Sequence, residues 1–277
     1  MYTPIASLLL LSYFVHPITT FTPPLSRTHA HGRQLKSSSS SASADLAVSS
    51  SSADLVSSSA TVPRSIIIIG GGLSGLSLAY ELSKCTTRSI TVISRDNESN
   101  IASLAAAGML APQSERLPKG PLLDLCLQSR EGYAEYAAEL ESLTGLTVGY
   151  RSNGGFIAPA FSGDSVETFA PVDEAGDARW LDEVQLRELE PRLGKGVVGG
   201  WWFGGDASVD SRLLHKALDK ACDVQGVERV KASVTSVNGA SRTVGLEDGR
   251  CFNAEDVVVA NGSWMREVRE SARSRIT

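Results

Sequence analysis

Ile66-Ile67-Ile68-Ile69-Gly70-Gly71-Gly72-Leu73-Ser74-Gly75 opens with four β-branched residues and closes in a glycine-rich turn. A β-branched run without a polar interruption suits a strand buried on both faces. After the turn, Leu76, Leu78, Ala79 and Leu82 recur at helical spacing, with Ser77, Glu81 and Lys84 on other faces. Ile90-Thr91-Val92-Ile93 then reads as a return strand. Strand, loop, helix and strand put Gly70, Gly72 and Gly75 in the G-x-G-x-x-G register of a dinucleotide-binding unit. Gly70 permits the tight turn, Gly72 admits a pyrophosphate to the backbone, and Gly75 lets helix and strand pack closely. The helix N-terminus then offers free N–H groups and a positive dipole end to the phosphates. An adenine dinucleotide is the expected ligand; a glycine-rich turn without a ligand is the alternative.

One component departs from that fingerprint. The end of the second strand, where an acidic residue usually binds the adenosine ribose, reads Ser94, Arg95, Asp96. A serine hydroxyl can still bond a ribose, and Asp96 could substitute if the loop bends. Arg95 would suit a 2′-phosphate, and hence NADP.

Further along, Ala105-Ala106-Ala107-Gly108-Met109-Leu110 is a run of mostly small residues that alone could be the packed start of a helix. Residues 122–143 read as one amphipathic packing helix, with Glu135, Glu139 and Glu141 on its solvated face. Residues 148–150, 155–159 and 197–203 read as short strands of a second layer, Trp201-Trp202-Phe203 packing within it. Asp210 is a candidate N-cap for a helix over 211–224, which carries Arg212 and His215 back toward the first unit. Asp248-Gly249 marks a hairpin turn, and Val257-Val258-Val259-Ala260 a buried strand ending in Asn261-Gly262-Ser263-Trp264.

Together these stretches resemble the D-amino-acid oxidase superfamily of FAD enzymes, in particular the cyanobacterial and plastid type of glycine oxidase that serves thiamine biosynthesis. The lines carrying the resemblance are IIIIGGGLSGLSLAYEL, ITVISRD, AAAGMLAPQSE, GPLLDLCLQSREGYAEYAAELESLTGL, GGFIAPAF, GGDASVDSRLLHKAL and DVVVANGSW. AAAGML-AP with LDLC-x-x-SR is more specific than the glycine register. The strand-end serine also resembles this branch, which weighs against NADP.

The resemblance implies an α/β fold, a Rossmann-like FAD-binding domain interleaved with a mixed, largely antiparallel substrate sheet. The oxidoreductase domain would span 64–277, its FAD part about 64–145 and 225–277 and its substrate part about 146–224. By position, Leu73 and Ser74 are similar to pyrophosphate-loop residues that touch FAD, and Ser94 and Arg95 to adenosine-side contacts. Ala107, Gly108 and Met109 are similar to the loop lying along the flavin, and Val234 to a valine whose backbone meets adenine. Gly262 belongs to a small-residue strand end near the cofactor.

The implied chemistry is oxidative deamination of a small amino acid, glycine first, by hydride transfer from Cα to flavin N5. Oxygen is the implied acceptor and hydrogen peroxide the product. Relatives of this kind continue for about another third, with the substrate-carboxylate arginine and a Gly-rich segment that closes over the flavin. Neither has a match up to Thr277, so catalytic residues stay unassigned and the substrate sheet is expected to be incomplete. Unpaired sheet edges, uncovered apolar surface and weak FAD retention would follow. The alternatives are an inactive truncated paralogue or fragment that at most binds a dinucleotide, and a sarcosine- or D-amino-acid-type oxidase or dehydrogenase.

Composition narrows the field. The 277 residues carry a formal net charge of −5, which disfavours nucleic acid and anionic membranes as partners. No apolar run approaches the ~20 residues of a membrane-spanning helix. Cys85, Cys126, Cys222 and Cys251 form no C-x-x-C pair and are expected as buried or half-buried free thiols. His16, His29 and His31 precede the body, which leaves His215 alone for a metal site or a Ser-His-Asp triad; no metal is expected. An oligomer remains possible.

Residues 1–20 hold a signal-like apolar core, IASLLLLSYF, too short to span a membrane. Residues 21–63 are serine-rich and acid-poor, as in a disordered transit segment. Phe21 resembles the aromatic at the cleavage site of two-part plastid presequences in algae with complex plastids. Plastid import is the expectation and secretion the alternative; only secretion would make the sequons at Asn97 and Asn261 matter.

Overall fold

A computed structural model describes residues 65–95, 101–171, 177–266 and 268. The presequence expectations, Asp96 and the Asn97 sequon lie outside the described residues. The architecture is α/β: a parallel sheet with helices beside it and separate antiparallel sheets, as expected.

The parallel sheet has the order β12-β1-β2-β8, from Asp256–Val259 (β12), Ser65–Ile69 (β1), Ser89–Ser94 (β2) and Glu228–Lys231 (β8). β1 is central, which explains the uninterrupted isoleucines. Ile66 and Ile68 enter one core with Leu76, Ala79 and Tyr80, while Ile67 and Ile69 enter a second with Val237, Val244 and Leu246. β12 returns to pair with β1 in parallel, yet among the described residues it is an edge strand. Its valines are therefore half-buried and not fully buried as expected.

Helix α1 (Leu73–Cys85) follows the glycine turn. The last long helix of the described chain, α6 (Ser211–Val224), packs against α1 through Leu214, Ala217, Leu218 and Ala221. Asp210 caps α6, accepting from Arg212 N at 2.9 Å and Leu213 N at 3.0 Å. Between them lie α2 (Ala102–Ala105), the two-residue strand β3 (Met109–Leu110), α3 (Pro121–Glu131) and α4 (Tyr133–Thr144). The expected single helix over 122–143 is thus two helices, divided at Gly132, where the missing side chain weakens helix propensity. Glu139 and Glu141 do more than face solvent. Glu139 accepts the Tyr80 hydroxyl at 2.6 Å, and Glu141 accepts the Val148 N–H at 2.8 Å.

The second layer is the antiparallel sheet β4-β6-β5, from Phe156–Phe161 (β4), Arg179–Asp182 (β5) and Val197–Phe203 (β6). Helix α5 (Glu183–Leu189), started by an Asp182–Gln185 capping box, covers it with Leu186. Residues 148–150 are not a strand. That segment is held by Val148 O, which accepts from Asp210 N, and by a bridge from Arg151 to Ser208 in β7 (Ala207–Ser208). Trp201 packs edge-on to Trp180 within the sheet, its ring 6.0 Å away. A meander of β9 (Val234–Asn238), β10 (Thr243–Leu246) and β11 (Cys251–Asn253) carries the turn at Gly249 and backs the second core. Cys222 is buried and Cys126 half-buried as expected, but Cys85 and Cys251 are exposed.

Candidate functional site

The three fingerprint glycines do different work. A Cβ on Gly70, at φ +119°, would stand 2.4 Å from the Ala260 carbonyl oxygen, and one on Gly75 only 1.9 Å from the Gly70 carbonyl oxygen. Both are demanded by the packing of the turn against α1 and β12. Gly72 is different: a Cβ there would meet only the Ser103 hydroxyl, at 3.0 Å. Its backbone is open to an approaching group. Gly72 is also the N-cap of α1, without a side-chain cap, and the first turn of α1 has no acidic residue. The Leu73 N–H donates to Ser103 Oγ at 3.0 Å, and Ser74 is exposed. The first N–H groups of a helix have no intrahelical partner, so this end is suited to phosphate oxygens.

Beside this helix start lies a cavity of about 390 Å³. Leu73 lines one side, Ala106, Ala107, Gly108, Met109 and Leu110 another, and Val209, Ser211 and Leu214 the floor. The small-residue run is therefore not a helix start: Ala105 ends α2, residues 106–108 form a loop, and Met109–Leu110 is β3. The loop and the end of α2 are tied to the start of α6 and the residues before it: Val209 N donates to Gly108 O at 2.8 Å, Ser211 Oγ to Ala106 O at 2.8 Å, and Arg212 Nε to Leu104 O, in α2, at 3.0 Å. Gly108, at φ +75°, is required here, because a Cβ would stand 1.8 Å from Val209 O. Ala107 and Met109 are left exposed to the cavity.

Two polar side chains complete the wall. Glu115 is the charged residue among those lining it, and Tyr133 stacks on Tyr150 with ring centroids 5.6 Å apart. Burial pushes the Tyr133 hydroxyl up to about 12, so it remains a donor at neutral pH.

Behind the Glu115 turn sits a buried ionic brace. Asp206 is completely buried; it binds Arg130 Nη1 at 2.5 Å and the Ser114 N–H at 2.8 Å. The same Arg130 nitrogen donates to Gln113 Oε1 at 2.9 Å. The motif ending in Arg130 and the GGDASVD motif thus meet.

The adenosine-side candidates gather at the ends of the parallel strands. Ser94 closes β2, and its carbonyl accepts from Ala232 N at 3.0 Å, which brings the start of β9 and Val234 alongside. Arg95 stacks its guanidinium on the Trp264 ring at 4.1 Å, over the 3₁₀ turn Gly262–Trp264 that Gly262 opens at φ +54°. His215 hydrogen-bonds the Gly71 carbonyl through Nε2 at 2.9 Å and fixes the loop from behind. Ser103, Glu115 and the Arg130–Asp206 pair have no signal in the sequence that assigns them to the site. His215 was visible as the lone histidine of the body, but its observed role is to hold the backbone.

Residues 65–276 match the family described as FAD dependent oxidoreductase. This chain belongs to that family. It is 42% identical over 209 residues to the bifunctional protein ThiO/ThiG of Synechocystis sp., a match spanning 73% of this chain and 30% of that protein. It is 30% identical over 216 residues to glycine oxidase of Geobacillus kaustophilus, spanning 72% of this chain and 54% of that enzyme. The crystal structure of glycine oxidase from Geobacillus kaustophilus superposes with a TM-score of 0.69 at 29% identity, covering 76% of this chain and 59% of that one. The chain therefore spans between about a third and about three-fifths of the length of these relatives.

FAD is the cofactor of the family, and the residues present fit it. Gly72 leaves the backbone open at a helix start that the N-cap residue itself does not cap, and two buried polar atoms beside the turn, Asn261 Oδ1 and Arg229 Nε, lack a hydrogen-bond partner among the described residues.

Proposed function

We propose that the protein is a glycine-oxidase-type amino-acid oxidase whose product serves thiazole formation in thiamine synthesis. Support comes from the ThiO/ThiG and glycine oxidase relatives and from one feature of the site. A cavity of small and apolar residues opens at the phosphate-ready start of α1. FAD bound here would supply the hydride acceptor for the Cα–H of a small amino acid, with oxygen as the final electron acceptor. Leu73, Ser74 and Gly72 would hold its pyrophosphate, Ser94, Arg95 and Val234 its adenosine half, and Ala107, Gly108 and Met109 its ring system. Gly262, just beyond β12, would lie near the cofactor outside this cavity.

The chain's own side chains then orient the substrate. Glu115 places a carboxylate where an amino group can bind, and Tyr133 offers a protonated hydroxyl on the same wall. Leu110, Val209 and Leu214 exclude water from the reacting pair. The cofactor half corresponds to about 64–145 and 225–277 and the substrate half to about 146–224.

The test is FAD titration of the purified protein, then peroxide detection with glycine, sarcosine and D-alanine. Glycine is expected to be the preferred substrate. Failure to bind FAD would overturn the cofactor assignment; FAD binding without peroxide from any of the three would overturn the oxidase. Residues 1–63 are proposed to direct plastid import. Their fusion to a fluorescent protein should colocalise with chlorophyll, and appearance in the medium would instead mean secretion.

A further inference from the structure

The fingerprint acid that usually binds the adenosine ribose is missing from the end of β2, and a base occupies its neighbourhood. β8 pairs with β2 so that Arg229 stands beside Val92, two residues before Ser94. Its side chain reaches toward the strand ends. A Cβ on Gly71 would lie 2.7 Å from Ser94 Oγ and 3.5 Å from Arg229 Nη2, so serine, guanidinium and glycine loop converge there. Asp219, one turn beyond His215 on α6, bonds Arg229 Nη1 and fixes the fork. Arg229 Nε is buried and without a partner among the described residues. An arginine held on one nitrogen, with another aimed at the glycine loop, is an arrangement still short of an acceptor.

We propose that Arg229 is a cofactor-binding residue that donates to the adenosine half of FAD, at ribose oxygens or the adjoining phosphate. It takes the place of the usual strand-end acid by reversing the hydrogen bond: the protein donates and the ribose accepts. Ser94 Oγ completes the contact, and Asp219 positions the guanidinium. This rests on the assignment of FAD to the glycine loop.

FAD, FMN and ADP binding by the wild-type protein and the Arg229→Gln, Arg229→Lys and Asp219→Asn variants tests it, with melting of the apoproteins as a check on folding. FMN lacks the adenosine half and serves as the internal control. Arg229→Gln is expected to weaken FAD and ADP by about 10- to 100-fold, the range for a lost hydrogen bond to a charged group, and FMN by less than about twofold. Arg229→Lys keeps the charge but not the fork and should fall between. Asp219→Asn should lose about threefold for FAD, and it carries the test if Arg229→Gln fails to fold. Unchanged FAD affinity in Arg229→Gln, or equal losses for FAD and FMN, would overturn the proposal and leave Arg229 a packing residue. A wild-type protein that binds neither flavin would overturn the cofactor assignment itself.

Discussion

At the residue scale, Gly72 and Gly75 are expected to separate binding from folding. A methyl group on Gly75 would stand 1.9 Å from the backbone oxygen of Gly70, which cannot rotate away. On Gly72 it would meet only the end of the Ser103 side chain, and the local φ of −77° suits alanine. Gly75→Ala is therefore expected to lose folded protein, since overpacking of this kind costs about 1–3 kcal/mol or more. Gly72→Ala should melt within about 2 °C of wild type yet bind FAD at least about tenfold more weakly, because the methyl group occupies the approach to the pyrophosphate. Melting curves and FAD titration of the two variants check the pair. Equal damage to stability in both would refute the division of labour.

At the scale of elements, the Arg130–Asp206 brace ties the end of α3 and the turn between β6 and β7 to the segment that carries Glu115. Asp206 is fully buried, so removing its charge leaves the Arg130 guanidinium without compensation. Asp206→Asn is expected to cost about 3–5 kcal/mol in urea unfolding, the range for breaking a buried pair from one side. The double replacement Arg130→Met with Asp206→Leu should cost less than either single change, because no buried charge remains. Additive losses in the cycle would show that the two groups act independently. Nothing in the sequence announced this brace. Its partners are 76 residues apart, and an Arg or Asp looks alike whether solvated or buried. By contrast, the β-branched run, the glycine register, the Asp210 cap and the returning valine strand were legible, since each is a local pattern with a local cause. The misread elements failed for tertiary reasons. Gly132 divides a helix whose apolar spacing continues across it, and 148–150 has strand-like residues but is held by contacts to Asp210 and Ser208. Of the site, the residues proposed to meet FAD through their backbone are readable from glycine and alanine. Those proposed to act through a side chain, Glu115 and Arg229, and Ser103, which accepts the Leu73 N–H, are not.

At the scale of the whole molecule, β1 is shared between two cores, and the one beneath α1, α4 and α6 is rich in groups that dislike ionising there. Cys222 is fully buried, and burial pushes its thiol up to about 12; burial does the same for Tyr133. Burial also raises Tyr136, and burial followed by the hydrogen bond to Glu139 raises Tyr80. In each case the folded state favours the neutral form. The unfolded chain ionises freely, the thiol near its reference value of 9.0 and the phenols near 10.0. The stabilisation is therefore fully present below about pH 9 and is lost as pH rises from there toward 12. Cys222 begins the decline and Tyr133 joins it about one unit higher, each contributing about 1.4 kcal/mol per pH unit while only the unfolded form is ionised. Urea unfolding of the apoprotein at about pH 8, 9.5 and 10.5 should give a flat value first and a steepening loss after, and Cys222→Ala should remove the earliest part of the slope. A stability that stays level through pH 10.5, or a Cys222→Ala variant with the same onset as wild type, would mean that this core admits water and charge. The cavity wall at Tyr133 would then be wetter than the proposed hydride transfer requires.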